Sequence, residues 1–305
     1  MICNSTKKVM KYNIPFYTLD RFYNSLETSI LTVMRKSLKD GCFLDGKETD
    51  NLEKELKLRC KRKHAIVTGS GSDAIFLALK ALGIKAGNEI LVPAISFIST
   101  ATSITHAGAK PVFVDIKPDN VLIDLNDAAS KITPATRAII IVDLYGNMPN
   151  IKAIKDFAKT YNLFLIEDAA QALGSEIQDQ PAGCIGDISI LSFDPSKPIG
   201  AFGTGGAILT DNPEYAHYCY AARQNGKNPD TGEYDQFGIN SRMSETQAAL
   251  VNWQLQHFNV QLDKRLELAS YLINKIKNLP LEIPVLQQLE HKGNWHKFVI
   301  KTKKR

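Results

Sequence analysis

Short apolar runs rich in β-branched residues alternate with stretches of helical periodicity between residues 64 and 210. The apolar runs predict strands at residues 65–67, 89–92, 112–114, 138–142, 163–166, 188–193 and 207–210. Residues 73–82, 99–107 and 151–161, which lie between them, have the spacing of helices. Strands that alternate with helices predict an α/β fold, with a mostly parallel sheet that is covered by helices on both faces.

The pattern on either side of this region is mainly helical. Residues 24–37 and 48–58 predict two helices before it, and residues 261–279 predict another after it. Ser244 and Gln247 have the positions of a capping box, which predicts a helix from there to about residue 257. Residues 223–236 are rich in Asn, Asp and Gly and predict a loop.

The last part of the chain is typical of the beginning of a second, smaller domain. Val285 and residues 298–300 favour strand there. We therefore divide the chain into an N-terminal arm with a large domain, residues 1–258, and the start of a small C-terminal domain, residues 259–305. Because a lone strand cannot bury its apolar face, we expect this small α/β domain to be incomplete at Arg305.

Composition narrows the class of protein. The 305 residues are 44% hydrophobic, which is enough for a substantial core. No apolar run approaches the roughly 18 residues that span a bilayer, and the first residues do not resemble a secretory signal, so a cytoplasmic protein is expected. The five cysteines form no C-x-x-C pair and the six histidines have no ligand spacing, so no metal site is expected. The net charge of +5 comes without basic clusters interleaved with aromatics, which gives nucleic-acid binding little support.

The carboxyl ends of the predicted strands carry the candidate chemistry, since ligands of parallel sheets bind there. Gly71 and Ser72 lie between the first predicted strand and a helix. Small residues at that place expose backbone N–H groups and a hydroxyl to an anion, at the positive end of the helix. The alternative is an ordinary Gly/Ser turn, in which Ser72 or Asp73 caps the helix.

Three further residues could each bind a ligand or have a purely structural role. Asp168 ends an apolar run and could hold a protonated pyridine nitrogen or a metal, or it could cap the next helix. Phe97 could stack on a planar ring or belong to the core. Asn240 could bind a phosphate or serve as a turn residue ahead of Ser244.

Lys197 follows the predicted strand at residues 188–193, with Ser192 five residues before it and the glycine-rich residues 200–206 after it. A lysine that must react with an aldehyde needs a fixed position and a depressed pKa, because only the neutral amine attacks a carbonyl. Taken alone, a solvated surface charge is the simpler interpretation. Together the candidates supply a phosphate site, a stacking ring, a carboxylate for a ring nitrogen and an amine, which are the parts that hold pyridoxal phosphate.

Several motifs occur in the order and spacing of one known family. They are residues 41–46, Gly71-Ser72-Asp73-Ala74, residues 92–97, Pro111-Val112-Phe113-Val114-Asp115, Leu144-Tyr145-Gly146, residues 167–174, residues 192–197, residues 203–206 and Asn240-Ser241-Arg242-Met243. From about residue 14 to its end, the chain resembles the sugar aminotransferases of the DegT/DnrJ/EryC1/StrS family. The resemblance implies the fold-type-I architecture of pyridoxal phosphate enzymes.

The resemblance also implies a role for each matching residue. Lys197 would form a Schiff base with pyridoxal 5'-phosphate and then move a proton between substrate and cofactor. Asp168 would pair with the ring nitrogen, Gln171 would lie near the ring hydroxyl, and Phe97 would stack on the ring. The phosphate would be bound by Gly71, Ser72 and Ser192, and by Asn240 of a neighbouring subunit, since sites of the family form at the interface of a homodimer.

The implied reaction moves an amino group from glutamate to a nucleotide-linked keto-sugar. It would serve polysaccharide synthesis, such as O-antigen lipopolysaccharide, or amino-sugar synthesis. The alternative is a truncated, catalytically impaired paralogue that keeps the fold and binds the cofactor or a partner, because chains of the family normally continue beyond Arg305. Dehydratases of the same family commonly have His in place of the lysine, so Lys197 argues against that activity.

Two residues depart from the family pattern. Asp143 stands where His commonly precedes Leu-Tyr-Gly. Because a carboxylate cannot replace imidazole as a neutral donor, we expect substrate contacts to differ there. Pro198 follows the lysine where Asn is common, and it restricts the local backbone.

Overall fold

The computed structural model describes residues 18–24, 26–283 and 291–303. In these ranges the helices are α1 (Asp20–Asn24), α2 (Glu27–Asp40), α3 (Lys47–Arg59), α4 (Gly71–Ala81), α5 (Ile98–His106), α6 (Leu125–Ser130), α7 (Ile151–Thr160), α8 (Pro213–Ala222), α9 (Glu245–Gln256) and α10 (Phe258–Ile276). The strands are β1 (His64–Thr68), β2 (Glu89–Pro93), β3 (Lys110–Val114), β4 (Thr136–Val142), β5 (Phe164–Asp168), β6 (Glu176–Ile177), β7 (Gln180–Pro181), β8 (Ile188–Ser192), β9 (Gly206–Thr210) and β10 (His291–Lys292). A 3₁₀ turn forms at Leu144–Gly146.

The main sheet has seven strands in the order β1-β9-β8-β5-β4-β2-β3. The pairs β2/β3, β2/β4, β4/β5 and β5/β8 are parallel, whereas β9 is antiparallel to both β1 and β8. The predicted mostly parallel sheet is therefore confirmed. The interior strand β4 is almost continuously apolar and buried, as expected of a strand that is covered on both sides.

Helices cover both faces of this sheet, as the alternation of the sequence predicts. On one face, an apolar cluster joins the sheet to α4, α5 and α8 through residues such as Leu77, Ile104 and Cys219. On the other face, a second cluster joins it to α3, α7 and α9 through residues such as Leu56 and Ile154. Burial of these two layers contributes the main hydrophobic stabilisation of the fold.

Ser244 caps α9 as predicted, with its hydroxyl accepting a hydrogen bond of 3.4 Å from the backbone N–H of Gln247. The reciprocal half of the predicted capping box does not form. The Gln247 side chain instead binds both backbone groups of Phe202, at 2.6 and 2.7 Å. Gln247 thus anchors the glycine-rich loop that follows Lys197 to the start of α9.

The strand predicted at residues 298–300 is wrong, and Val285 lies outside the described residues. A strand needs a neighbouring backbone, and in the described part of the chain Glu282 alone bridges to Lys301 there. The segment instead packs through the rings of Trp295 and Phe298, which stack at 5.6 Å and lie against Ala269 of α10. The division into domains at residue 258 stays a prediction.

The carboxyl ends of the parallel strands meet at one edge of the sheet. Asp168 ends β5 and Ser192 ends β8. Gly206 of β9 lies opposite both Ser192 and Thr68, the last residue of β1, so the start of α4 is brought to the same edge. Among the described helices, none is long and apolar enough to cross a membrane.

Candidate functional site

A cavity of about 310 Å³ opens at this edge of the sheet. Most of the site residues predicted from the sequence line it, namely Gly71, Ser72, Phe97, Asp168, Gln171, Ser192 and Lys197. Asn240 does not line the cavity of its own chain. It is exposed, bridges to Gln224, and accepts a 3.5 Å hydrogen bond from Arg242.

The start of α4 forms one wall of the cavity. A Cβ atom on Gly71 would lie 2.9 Å from the Cβ of Ser192, and one on Gly206 would lie 2.6 Å from the backbone nitrogen of Gly71. Glycine is therefore needed for the close approach of α4 to β8 and β9. The first N–H groups of a helix have no partner within it, so this wall offers donors and a positive end to an anion.

Asp168 is held at the floor of the cavity by two hydrogen bonds. Its Oδ2 accepts from the hydroxyl of Thr100 at 2.9 Å, and its Oδ1 accepts from the backbone N–H of Ala170 at 3.2 Å. Burial raises the pKa of the Asp168 carboxyl, while these two hydrogen bonds and the charge of Lys197 act in the opposite direction. A protonated ring nitrogen would stabilise the same charge by adding a further donor.

Lys197 enters the cavity beside an aromatic ring, with its Nζ 5.6 Å from the centroid of Phe97. Burial lowers the pKa of Lys197, and Lys297 lowers it further, against the opposing charges of Asp168 and Asp194. The lowered pKa increases the share of neutral, nucleophilic amine. Phe97 is 62% exposed, so the interpretation of this ring as plain core does not hold.

Gln171 is fixed from two sides. Its Oε1 accepts a hydrogen bond of 3.0 Å from the backbone N–H of Tyr145, which has a positive φ of 61°. Its backbone carbonyl accepts from the Nδ2 of Asn294 at 2.9 Å. The orientation of Oε1 toward Tyr145 leaves the amide Nε2 as the donor that Gln171 can offer to a ligand.

These residues fit pyridoxal phosphate. The space beside Gly71 is one that a Cβ would fill, since the Cβ would lie 2.9 Å from that of Ser192, and it lies at a helix start suited to the phosphate. Asp168 suits the ring nitrogen, the exposed Phe97 suits the ring face, and the Lys197 amine suits the aldehyde. Nothing in the described residues groups three or more His, Cys, Asp or Glu side chains as metal ligands.

The sequence reasoning missed several residues of the cavity, including Thr100, Tyr145, His296 and Lys297. Tyr145 stood within the Leu144-Tyr145-Gly146 motif, but no local pattern indicated that Tyr145 or His296 reaches the cavity. Burial, together with the charges of Lys197, Lys297 and Arg265, lowers the pKa of His296 to about 3, so its imidazole is neutral. Thr100 carried no signal beyond its place in a predicted helix.

Asp143 occupies the position before Leu-Tyr-Gly, where substrate contacts were expected to differ. Asp143 is completely buried, does not line the cavity, and lies beside the Glu167 carboxyl group, with which it can share a hydrogen bond when one of the two is protonated. Burial, and next the negative charge of Glu167, raise the pKa of Asp143 well above its usual range. The raised pKa favours the protonated form of this carboxyl group, and a protonated carboxyl can donate a hydrogen bond as imidazole can.

Comparison with known proteins identifies the family. A sequence profile of the DegT/DnrJ/EryC1/StrS aminotransferase family matches residues 24–305. A relative from Geobacillus stearothermophilus, called a pleiotropic regulatory protein, is 36% identical over 94% of this chain and 76% of its own length. The UDP-N-acetyl-3-dehydro-alpha-D-glucosamine 3-aminotransferase of Acidithiobacillus ferrooxidans is 35% identical over 96% of this chain and 79% of its own length.

Solved structures agree with this assignment. DesV of Streptomyces venezuelae, determined in complex with a ketimine intermediate, superposes with a TM-score of 0.90 at 33% identity, over 96% of this chain and 78% of DesV. The ntda protein of Bacillus subtilis, determined with bound cofactor PMP, gives a TM-score of 0.88 at 34% identity, over 98% of this chain and 68% of that protein. The chain belongs to the DegT/DnrJ/EryC1/StrS aminotransferase family and is a pyridoxal phosphate-dependent sugar aminotransferase.

Proposed function

We propose that this enzyme transfers an amino group from glutamate to a keto-sugar linked to a nucleotide. The reaction would be a step of polysaccharide (O-antigen-type) or amino-sugar biosynthesis in the cytoplasm. The observation that carries this proposal is the position of Lys197, whose amine lies over the Phe97 ring in the cavity that Asp168 also lines. Relatives with names of nucleotide-sugar aminotransferases support the class of acceptor.

The binding roles follow from the cavity walls. When bound, pyridoxal phosphate supplies an aldehyde that takes up an amino group and a ring that withdraws electrons. The start of α4, at Gly71 and Ser72, would bind the phosphate together with Ser192. Phe97 would cover one ring face, and the amide of Gln171 would donate toward the ring hydroxyl.

Two residues would hold or transfer protons during the reaction. Asp168 would keep the proton on the ring nitrogen, because its carboxylate accepts that hydrogen bond while Thr100 and Ala170 hold its own orientation. Lys197 would take a proton from the substrate carbon and return it at the neighbouring cofactor carbon. Its lowered pKa fits a group that must alternate between the neutral and the charged form during the reaction.

We also propose that the active enzyme is a homodimer with shared sites. Asn240 is exposed on a loop where Tyr234 and Phe237 are 69% and 56% exposed, and Phe43 is likewise 56% exposed. Exposed aromatic residues of this kind are typical of interfaces between subunits. Asn240 would reach the phosphate bound by the partner subunit, which explains why it lies outside its own cavity.

The proposal is tested with the purified protein, reconstituted with pyridoxal phosphate and incubated with L-glutamate and a panel of keto-sugar nucleotides. Mass spectrometry should detect an amino-sugar nucleotide together with 2-oxoglutarate. Product formation should require both substrates and should disappear in Lys197→Ala. If glutamate is replaced by another amino acid without loss of rate, the proposed donor is wrong.

A further inference from the structure

The loop that carries Lys197 is held against helices α9 and α10 by a row of side-chain donors. Three side-chain nitrogens, which we call the donor row, bind the carbonyl oxygens of alternate loop residues. They belong to Gln247, which donates to Phe202 at 2.7 Å, to Gln254, which donates to Gly200 at 2.6 Å, and to Arg265, which donates to Pro198 at 3.1 Å. The last bond of the row is thus made at the residue that directly follows Lys197.

Arg265 binds the one backbone hydrogen-bonding group that a proline has. Proline lacks an N–H, and its ring fixes φ at about −65°. Because Arg265 holds the carbonyl oxygen, both the φ angle and the carbonyl direction of the buried Pro198 are fixed. On the other side, the backbone N–H of Lys197 itself donates to the carbonyl of Asp194 at 2.9 Å. The backbone of Lys197 is therefore held from both ends.

Bonds within the loop fix its shape. The backbone N–H and the hydroxyl of Ser196 donate to Oδ1 of Asp194 at 2.9 and 2.6 Å. The backbone N–H of Ala201 donates to the carbonyl of Phe193 at 2.8 Å. These bonds do not connect the loop to the helices beside it. The donor row makes that connection, so it determines where the loop, and with it Lys197, lies relative to α9 and α10.

Stability alone does not explain an arginine at position 265. Burial lowers the pKa of Arg265, and no carboxylate of the described residues raises it again. Its Nη1 is buried without a hydrogen-bond partner in the described part of the chain. A buried donor without a partner is unfavourable for the folded state. The hydrogen bond to Pro198 is the contact that this position provides, which indicates a role in the loop.

We propose that Arg265 is a positioning residue for Lys197, which acts through the Pro198 carbonyl as the last member of the donor row. This inference rests on the role that the proposed function gives to Lys197. Arg265 would keep the lysine amine at the distance and angle from which it attacks the cofactor aldehyde. It would not touch the cofactor itself, since it does not line the cavity.

Two forms of the cofactor separate the position of Lys197 from the state of the cavity. Pyridoxal phosphate carries the aldehyde with which the lysine reacts, whereas pyridoxamine phosphate carries an amine and binds without a bond to the lysine. Arg265→Met removes the donor and keeps a long, unbranched side chain. It should slow the capture of pyridoxal phosphate by the apoprotein about tenfold, measured by visible absorbance. Its affinity for pyridoxamine phosphate, measured by calorimetry, should not change.

Lys264→Met is the matched control, because it makes the same change from a cation to methionine at the exposed preceding residue of α10. It should leave both measurements unchanged. Arg265→Lys keeps a cation and a donor, so it should retain most of the capture rate. Equal capture rates in the wild type and Arg265→Met would overturn the proposal. Equal losses for the two forms of the cofactor would also overturn it, since they would show damage to the cavity.

The pH profile of capture is a second readout. The charges that shift the pKa of Lys197 are those of Asp168, Asp194 and Lys297, and Arg265 is not among them. Arg265→Met should therefore lower the capture rate at every pH and leave the midpoint of the profile in place. A moved midpoint with an unchanged plateau would assign Arg265 an electrostatic effect on the amine and would overturn the positioning role.

Gln254→Met tests the same proposal if Arg265→Met does not fold. It removes the preceding donor of the row, which binds Gly200. Capture of pyridoxal phosphate should slow by less than in Arg265→Met, again without loss of affinity for pyridoxamine phosphate. A capture rate equal to that of the wild type would contradict the action of the donor row. Absence of transamination in the wild type would instead refute the proposed function, and the capture rates would still decide the role of Arg265.

Discussion

The hydroxyl of Thr100 on α5 donates a 2.9 Å hydrogen bond to Oδ2 of Asp168, at the end of β5. Both side chains are almost completely buried. The bond links the helix that begins next to Phe97 with the strand that carries the carboxylate. It therefore fixes the group proposed to hold the ring nitrogen relative to the ring proposed to stack on the cofactor.

The first prediction concerns Thr100. Thr100→Val keeps the shape of the side chain but leaves Asp168 without one donor, and a hydrogen bond to a charged group contributes about 1.5–3 kcal/mol. We expect the affinity for pyridoxal phosphate to fall by roughly tenfold or more, measured by titration of the apoprotein. Thr100→Ser should restore most of it. Thr102→Val, an exposed change on the same helix, should have no effect.

The second prediction concerns the phosphate cradle. In Gly71→Ala, the new Cβ would lie 2.9 Å from that of Ser192, so α4 must move away from β8. We expect a large loss of cofactor affinity in the same titration. Gly69→Ala is the matched change, because its Cβ would make ordinary contacts of 3.4 Å and longer. Equal affinities in the two variants would show that the cradle does not bind the phosphate.

The third prediction concerns Asp143, whose pKa is raised by burial and by the neighbouring Glu167. The folded state therefore binds the proton more tightly than the unfolded state, so this group's contribution to stability is present at low pH and is lost as pH rises. Asp143→Asn removes the ionisable group. It should raise the free energy of unfolding by on the order of 1 kcal/mol at pH 8, and by less at pH 5.

Chemical denaturation at the two pH values measures this difference. Asp119→Asn, at an exposed position, is the control and should change stability little. A destabilised Asp143→Asn protein at pH 8 would contradict the raised pKa of this carboxyl group.

The fourth prediction concerns the pH at which Lys197 becomes reactive. Burial lowers the pKa of Lys197, so the neutral amine forms at lower pH than in an exposed lysine. The rate at which the apoprotein captures pyridoxal phosphate, followed by visible absorbance, should rise with pH and level off below the pKa of an ordinary lysine. A rate that still rises up to the ordinary pKa would show that Lys197 is not perturbed.

The fold followed from the sequence where local patterns determine it. The apolar run of β4 predicts a buried strand. Asp168 could be assigned to the end of a strand because it is the polar residue that ends an apolar run. Ser244 could be identified as a cap for a similar reason. In each case, the physical cause lies within a few residues of the chain.

The remaining features depend on contacts between distant segments. Thr100 and Asp168 are separated by 68 residues, and Asn294 binds a turn more than 100 residues away. The Gln247 side chain could bind the backbone at Ser244, as in a capping box, or the backbone at Phe202. It binds Phe202 because the loop that contains this residue packs against the start of α9. The raised pKa of Asp143 likewise depends on burial beside Glu167, which is not visible from the residues next to it in the sequence.

The central claim is that Lys197 carries the cofactor. The direct measurement is reduction of the pyridoxal phosphate-loaded protein with borohydride, which fixes the lysine–cofactor bond, followed by peptide mapping by mass spectrometry. The account predicts a single major adduct on Lys197, and its loss in Lys197→Ala together with the visible absorbance. An adduct on another lysine, or a loaded protein without an adduct, would contradict it.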